Sequence, residues 1–165
     1  MMVKIATIIN VDRDQAAKYL FFTTRNGIVK RTSTSQFSNI RTNGLKALKL
    51  RDGDELINVL RTSGEDEVII GTHLGYSVRF KGAVVRDMGR AAAGVKGVNL
   101  REGDYVVGTS RIDDSQEVLV ISENGLGKRT QASEYPTKGR GGKGMKVMNV
   151  TERTGKLAGL TAVKW

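Results

Sequence analysis

The sequence predicts an all-β protein made of three copies of a four-stranded unit, each about 50 residues long. Two sets of glycines carry this prediction, because they recur at nearly constant spacing, 48 or 50 residues: Gly27, Gly75 and Gly125, then Gly44, Gly94 and Gly144. No run is long enough and regular enough to predict a helix. A period of this length with about four short strands is typical of a propeller blade, and blades must stack because one blade cannot bury its own faces.

The three units together are predicted to form one partial, propeller-like domain over residues 1–165. Residues 3–17 are interpreted as the closing strand of a missing blade plus a linker, and the repeats cover 18–64, 65–114 and 115–165. Val3–Val11 is apolar and β-branched, which predicts a strand. One hypothesis is that it pairs with Leu157–Val163, within one chain or between chains, so that the truncated array self-associates.

Each unit begins with a predicted β-hairpin. In the first, Tyr19–Thr24 turns at Asn26-Gly27 and returns as Ile28–Thr32. Asn-Gly between β-rich runs favours a type I′ turn, which needs positive φ at both residues. The other two units repeat the pattern as Val68–Thr72 with Tyr76–Phe80, and Val118–Ser122 with Leu126–Thr130.

Each unit continues through a loop into a glycine-led strand, a polar turn and a closing strand. The glycine-led strands are predicted at Gly44–Leu50, Gly94–Leu100 and Met145–Val150, and the closing strands at Leu56–Leu60, Tyr105–Thr109 and Leu157–Val163. The polar turns contain paired acids, Asp52/Asp54 and Glu102/Asp104. Aspartate beside glycine favours turns, so we interpret these pairs as turn formers rather than as a catalytic pair.

Composition excludes several classes of site. The absence of cysteine rules out disulfides and thiolate metal sites, and a single histidine, His73, leaves no cluster for a transition metal. We therefore expect no metal or cofactor and no catalytic role for the chain by itself. No apolar run approaches the roughly 20 residues that span a bilayer, so we expect no membrane association and a cytoplasmic location.

Charge points to a polyanionic partner. Lys and Arg number 27 against 17 Asp and Glu, a formal net charge of +10. The first and third units are basic, whereas the middle unit is close to neutral. Such a patterned excess favours nucleic acid as a partner ahead of a membrane surface.

Cations recur at equivalent positions and predict a basic rim that contacts phosphates. Glycines within the third loop would let backbone N–H groups approach the phosphates closely. The candidate residues are Lys30, Arg31, Arg41, Lys46, Arg79, Arg90, Lys96, Lys128, Arg129, Lys138, Arg140, Gly141, Gly142, Lys143, Gly144 and Lys146. The alternatives are structural ion pairs with Asp or Glu, and a mobile glycine-rich surface loop. Gly139–Gly144 also fits G-x-G-x-x-G by letter, but a strand rather than a helix follows it, so a dinucleotide site is not expected.

Three segments resemble the C-terminal domain of the DNA gyrase A subunit: Lys18–Thr32, Gly89–Leu100 and Glu123–Thr130. The resemblance covers essentially the whole chain. It implies a β-pinwheel, a propeller-like disc whose blades exchange strands with their neighbours. It also implies a non-catalytic domain of an ATP-dependent type II DNA topoisomerase, one that wraps duplex DNA around its rim and so supports negative supercoiling.

The resemblance further implies partners and a place in the cell. These are double-stranded DNA, the gyrase B subunit and the remainder of the gyrase A subunit, in the cytoplasm at the nucleoid. The chain has fewer repeats than the family's domain. The family's hallmark box reads Gln, two basic residues, Gly-Gly, a basic residue and Gly; here Lys138 and Gly139 replace its first two residues. We interpret Lys138–Gly144 as a degenerate later copy of that box.

Two other functions fit the pattern. The topoisomerase IV subunit that corresponds to gyrase A has a related C-terminal domain with fewer blades and no box. From a different class, the array could be a protein-interaction propeller that binds partners through its strand edges. A titration of duplex DNA against salt separates the second alternative from DNA binding.

Overall fold

The computed structural model describes residues 18–37 and 50–164, and these form an all-β structure. Its strands are β1 Tyr19–Thr24, β2 Ile28–Ser33, β3 Leu56–Thr62, β4 Glu67–Thr72, β5 Tyr76–Lys81, β6 Val95–Lys96, β7 Val106–Ile112, β8 Glu117–Ser122, β9 Gly127–Gln131, β10 Met145–Lys146 and β11 Leu157–Val163. Three short 3-10 helices follow the hairpins, at Thr34–Phe37, Gly82–Val84 and Ala132–Glu134. Within the described ranges there is no α-helix, and the predicted fold class is confirmed.

The strands form three antiparallel sheets, which we call blades one, two and three. Their strand orders are β3-β1-β2-β6, β10-β5-β4-β7 and β11-β8-β9. β-Branched residues occur in all three hairpins, with aromatic residues added in the first two, and both types favour strands. In every blade the first hairpin strand also pairs with the closing strand. The predicted Val3–Val11 strand and most of Gly44–Leu50 lie outside the described residues.

The outermost strand of a blade comes from the next unit of the chain. Strand β6, from the second unit, pairs with β2 at Ile28–Val29, and β10, from the third unit, pairs with β5 at Tyr76–Ser77. The described residues therefore supply four strands to blades one and two but three to blade three. This exchange confirms the pinwheel, and it shows that a blade and a sequence repeat are different units.

The donated segments cross a whole blade edge, although only two residues of each are β-strand. We call residues 86–96 the second strap and residues 136–146 the third strap. The second begins where Met88 N donates to Arg31 O at 2.8 Å, and the third where Lys138 N donates to Arg79 O at 2.8 Å. The predicted strands Gly94–Leu100 and Met145–Val150 were too long, because the chain leaves the sheet edge after these two residues.

Just past each strap the chain is fixed to the hairpin turn of the preceding unit. Gly97 N donates to Gly27 O, and Val147 N donates to Gly75 O, both at 2.8 Å. The closing strands make a second set of bonds to the same turns: Val106 N donates to Arg25 O at 2.8 Å and Leu157 N to His73 O at 2.9 Å. Each of these two hairpin turns is thus held by two segments of the following unit.

The hairpin turns are not of type I′. Gly27, Gly75 and Gly125 have φ of +85°, +94° and +83°, but no other described residue type has positive φ, so Asn26 and Asn124 do not. Each glycine N–H instead bonds the carbonyl three residues earlier, as Gly27 N does with Thr24 O at 3.1 Å. A three-residue loop ending in a left-handed glycine matches the type I turn with a G1 bulge.

Asp54 and Asp104 stabilise these turns from the polar loop ahead of the closing strand. Asp54 Oδ1 accepts from Asn26 N at 2.9 Å and from Glu55 N at 2.8 Å. Asp104 Oδ1 accepts from Leu74 N and Tyr105 N, each at 2.9 Å. Because their carboxylates accept bonds from backbone N–H groups of the turns, Asp54 and Asp104 have a structural role.

Two apolar clusters lie between neighbouring blades. The first joins blades one and two around Phe21 and Phe80, whose ring centroids are 6.2 Å apart. The second joins blades two and three around Ile69, Leu157 and Leu160. Because each sheet buries a face only against the next one, the blades stack as the repeat pattern requires.

In each strap, the glycine just before the two-residue strand allows the strap to lie close to the blade. Gly94 and Gly144 have φ of +93° and +85°, and a Cβ would lie 2.4 Å from Val29 O and from Ser77 O respectively. A left-handed conformation and backbone contact at this distance both require glycine.

We expect Gly144→Ala to lower the free energy of unfolding by at least about 2 kcal/mol, because the left-handed backbone and the contact with Ser77 O both oppose a side chain. Gly139→Ala in the same strap is the matched control, since a Cβ there has no neighbour within 4 Å. Urea unfolding followed by circular dichroism measures both. Equal stability of the two variants would show that the third strap does not bind the blade edge as described.

Candidate functional site

The candidate cations fall into two groups that differ in burial. Lys30, Arg31 and Arg79 are buried, with 0%, 9% and 4% of their surface exposed. The others within the described ranges lie on the outer edges of the blades. Arg41 and Lys46 lie outside the described residues.

Arg31 and Arg79 occupy equivalent positions and contact the 3-10 helix of the next unit. Arg31 Nε donates to Val85 O at 2.8 Å, and its guanidinium lies 4.2 Å from the Tyr19 ring centroid. Arg79 Nη1 donates to Ala132 O at 2.9 Å and to Tyr135 O at 3.1 Å. Val85 and Tyr135 are equivalent positions, 50 residues apart, so the same arginine–carbonyl contact occurs in two consecutive units.

Two carboxylates complete the environment of Arg79. Glu67 Oε2 lies 2.9 Å from Nη2, and Asp114 Oδ1 lies 2.9 Å from Nη1. A buried guanidinium is stable only when it is paired and hydrogen-bonded in this way. Arg79 therefore forms structural ion pairs, which was one of the alternatives from the sequence. Because Lys30, Arg31 and Arg79 are buried, they are no longer candidate phosphate ligands.

Arg129 is the third copy of this arginine and lies on β9. Its Nε donates to Glu117 Oε2 at 2.8 Å, repeating the twelve-residue spacing of Glu67 and Arg79. Its side chain is 40% exposed, against 3% for Arg79. The difference follows from the fold, since the described residues contain no further unit to cover β9.

Lys30 lies under the second strap. Its Nζ donates to Arg90 O at 2.5 Å. Burial of the ammonium group, assisted by the nearby charge of Arg90, lowers the pKa of Lys30 to about 8. This lysine thus joins strap to blade and is not presented to a ligand.

The remaining candidate cations follow the blade edges. Blade one is edged by the second strap, blade two by the third strap and blade three by β9. The exposed cations on these edges are Lys96, Lys128, Lys138, Arg140, Lys143 and Lys146, with Arg90 half-buried. Residues 135–150 contain four cations and no acidic residue.

The two straps contact each other, which makes the basic edge continuous across blades one and two. Arg140 Nη1 donates to Lys96 O at 3.0 Å. Gly141 N donates to Gly97 O at 2.7 Å, and Asn99 N donates to Gly142 O at 2.8 Å. The N–H group of Gly141 is therefore engaged within the protein, so the glycines of this loop serve strap packing as well as any ligand.

The sequence interpretation missed Arg51 and Arg101, although their 50-residue spacing was a usable signal. Arg101 lies 3.5 Å from the Tyr76 ring centroid and donates from Nη1 to Lys143 O at 2.8 Å. Arg51 Nη2 donates to Gly94 O at 3.4 Å. Arg51 thus bonds the second strap and Arg101 the third strap, so each arginine contacts the strap that comes from the following unit.

His73 has a structural environment. Its ring stacks on Tyr105 with centroids 4.3 Å apart, and the Arg25 guanidinium lies 4.1 Å from the centroid of the same tyrosine ring. Across residues 18–37 and 50–164, no group of three or more His, Asp or Glu side chains is placed to hold a metal ion. No helix in that part of the chain could span a membrane.

Comparison with known proteins identifies the family. The family model described as the DNA gyrase C-terminal domain, beta-propeller, matches residues 18–63, 66–113 and 116–164. The chain belongs to the DNA gyrase C-terminal domain family. The resemblance seen in the sequence is therefore confirmed.

A curated relative and two solved structures agree with this family. The DNA gyrase A protein of Streptococcus pyogenes serotype M3 is 66% identical over 89 residues, which cover 53% of this chain and 11% of that protein. The C-terminal domain of DNA topoisomerase IV superposes with a TM-score of 0.83 at 30% identity, covering 88% of this chain and 46% of that one. A DNA gyrase A C-terminal domain gives 0.76 at 28% identity, with 91% and 50% covered. The match thus spans about a ninth of the curated relative and about half of each solved domain.

We expect Arg79→Lys to lower the free energy of unfolding by about 2–4 kcal/mol, because an ammonium cannot replace the forked bonds to Ala132 O, Tyr135 O and two carboxylates. Arg129→Lys, the same change on the exposed edge, should cost less than about 1 kcal/mol. Denaturant unfolding of the two variants measures both effects. If Arg79 holds the next unit against its blade, Arg79→Lys must lower the free energy of unfolding clearly more than Arg129→Lys does.

We expect the stability of the protein relative to Lys30→Met to rise with pH. The unfolded lysine has its ordinary pKa of 10.5 and the folded one about 8. Between these values the unfolded state binds more protons, so raising the pH from about 8 to 10.5 relieves the cost of the buried charge, by up to about 3 kcal/mol. Parallel unfolding measurements from pH 7 to 10.5 give the difference; a pH-independent value would show that water reaches the Lys30 amine in the folded protein.

Proposed function

We propose that the chain binds duplex DNA through the phosphate backbone, without sequence preference, along the edge formed by the straps. The observation that carries this proposal is the continuity of that edge: Arg140 bonds the second strap through Lys96 O, and exposed cations lie on both sides of the contact. A long, regularly spaced polyanion can neutralise such a row, whereas a small ligand meets only part of it.

The edge has the chemistry that phosphate contact needs. Lys138, Lys143 and Lys146 are exposed on a segment with no acidic residue, and burial has removed Lys30 and Arg79 from the surface. Lysine and arginine contacts to phosphates position a protein on DNA without reading bases. We place the contact residues at Arg90, Lys96, Lys128, Lys138, Arg140, Lys143 and Lys146.

Strand exchange changes which blade carries the charge. The second unit is nearly neutral, so its own charge alone predicts that it contributes least to DNA binding. Its blade, however, is edged by the third strap, the more basic of the two straps. We therefore propose that blade two contacts DNA as strongly as its neighbours. Bending duplex by 40–90° costs about 1–6 kcal/mol, so wrapping needs contacts distributed over several blades.

In the whole enzyme, we propose that this region is a non-catalytic DNA-wrapping part of an ATP-dependent type II topoisomerase, supporting negative supercoiling in the cytoplasm at the nucleoid. Its partners would then be duplex DNA, the gyrase B protein and the rest of the gyrase A protein. The outer edge of β9 receives no strap from the described residues, and it is the place where another repeat would pair. Self-association through Val3–Val11 remains a separate hypothesis, because that segment lies outside the described residues.

A second candidate is the corresponding C-terminal domain of topoisomerase IV, which the TM-score of 0.83 favours. The 66% identity to a gyrase A protein favours gyrase. Supercoiling of relaxed plasmid by the complete enzyme separates them: introduction of negative supercoils supports gyrase, and relaxation alone supports topoisomerase IV.

We expect the triple variant Lys138→Gln, Lys143→Gln, Lys146→Gln to lower the log–log salt slope of duplex binding by roughly 2–3, because each phosphate contact contributes about 0.9. The change should be the same for duplexes of unrelated sequence. Fluorescence anisotropy with a labelled duplex over a series of salt concentrations measures it, and circular dichroism checks that the variant is folded.

The control is Arg111→Gln with Lys164→Gln. Both residues are exposed. Arg111 lies on β7, at the opposite side of blade two from β10, and Lys164 follows β11, at the opposite side of blade three from β9. This variant should keep the original slope. Equal slopes for triple variant, control and parent would reject the strap edge as the DNA surface, and absence of duplex binding at low salt would favour a protein-interaction propeller.

A further inference from the structure

Arg101 lies on the strap edge but is not one of the contact residues proposed above. It follows Leu100, whose Cγ would be 3.4 Å from a Cβ added at Gly27, in the hairpin turn of blade one. Its own Nη1 donates to Lys143 O, on the third strap, at 2.8 Å. Arg101 therefore lies where blade one meets the third strap, a place that we call the seam.

The ring of Tyr76 lies against the Arg101 guanidinium. The guanidinium carbon is 3.5 Å from the ring centroid, the shortest of the four cation–π distances among the described residues. The ring quadrupole attracts the cation, and stacking limits the directions in which the planar group can turn. Tyr76 is also the ladder partner of Lys146, so the two side chains project from the same face of the sheet. Arg101 is thus held beside an exposed lysine of the third strap.

The edge of blade one lacks this ring. Ile28 occupies there the position of Tyr76, and Arg51 is the arginine equivalent to Arg101. Arg51 is exposed, and its Nη2 donates to Gly94 O at a longer distance, 3.4 Å. A guanidinium stacked on an aromatic ring is therefore a feature of the edge of blade two and not of blade one.

Two of the three guanidinium nitrogens of Arg101 are available to a ligand. Nε and Nη2 make no hydrogen bond within residues 18–37 and 50–164, and neither belongs to the buried polar atoms that lack a partner. Both are therefore open to solvent. They share one edge of the planar group, and this edge is the fork that binds two oxygens of one phosphate.

No carboxylate pairs with this guanidinium in the described part of the chain. The arginines that form ion pairs there are Arg25, Arg79 and Arg129. Glu102, the next residue in the sequence, is exposed and forms no ion pair with a described residue. The charge of Arg101 and its fork are thus both available to an external anion.

We propose that Arg101 contacts a DNA phosphate through Nε and Nη2, and that Tyr76 is the residue that positions it. This contact rests on the duplex binding proposed above. DNA that crosses from blade one to blade two passes the seam, where Arg140 and Arg101 both make bonds between neighbouring segments. Because the tyrosine orients the guanidinium before binding, less side-chain entropy is lost when the phosphate binds. Arg101 is therefore an oriented contact among lysines, which act as flexible point charges.

Three variants test the proposal, with duplex binding measured by fluorescence anisotropy over a series of salt concentrations. Arg101→Gln should lower the log–log salt slope by about 0.9, the contribution of one phosphate contact. Arg101→Lys and Tyr76→Leu keep the positive charge, so they should keep the slope. Both should raise the dissociation constant about two- to tenfold, because the fork is lost in the first and its orientation in the second.

The control is Arg111→Gln, which removes an exposed arginine from β7, at the opposite side of blade two from β10. It should keep the slope of the parent. Circular dichroism and urea unfolding check that each variant is folded. A second measurement uses the ¹⁵N-labelled parent: the Nε–H resonance of Arg101, assigned from its absence in Arg101→Lys, should shift when a duplex binds.

Three results would overturn the proposal: an unchanged salt slope in folded Arg101→Gln, an Nε–H resonance that duplex leaves unmoved, or a dissociation constant of Tyr76→Leu equal to that of the parent. Weaker binding by Arg101→Gln at an unchanged slope would mean that Arg101 only supports the third strap. If the triple lysine variant lowers the slope and Arg101→Gln does not, this contact alone is rejected. A parent that does not bind duplex at low salt rejects the proposed function as well.

Discussion

The structure depends on the contact between each strap and the blade before it. A strap contributes only two residues of β-strand, too few to hold a sheet edge by ladder bonds alone. A buried arginine supplies what the ladder lacks: Arg31 and Arg79 each reach forward to carbonyl groups of the next unit, and a glycine lets the strap approach to backbone contact. Without these bonds blades one and two would be three-stranded sheets with bare outer edges, as blade three is among the described residues.

Burial, rather than residue type, divides the periodic cations into structural and surface groups. Arg31, Arg79 and Arg129 look identical in the sequence, yet their exposure depends on whether another unit follows and covers them. The covered copies meet carbonyls and carboxylates at short range, where a mobile phosphate could not compete. Exposed cations lie instead on the straps, and the third strap contains no acidic residue.

Much of the fold could be predicted from the sequence, because hairpins and closing strands are local and periodic. Tyr19–Thr24 and Leu157–Val163 have the same bounds in the structure as in the prediction. The exchange of β6 and β10 could not be derived from periodicity, since two-residue strands have no pattern of their own and their partners lie in another unit. The turn type was wrong for a related reason: Asn-Gly fits both I′ and G1-bulge loops, and loop length decides between them. Within the candidate site, spacing found the cations but contained no information on their burial.

The two strap–blade contacts differ in both packing and charge. Where the second strap has the buried Met88, the third strap has the exposed Lys138 at the equivalent position. Likewise Ala92, which packs against the core, is replaced by Gly142. Val78 in place of Lys30 gives a shorter buried side chain at that position. The third strap is the more basic of the two straps, and it is also the one beside a cavity. The loss of side-chain volume and the gain of exposed cations thus occur together in one strap, which agrees with the DNA contact proposed for it.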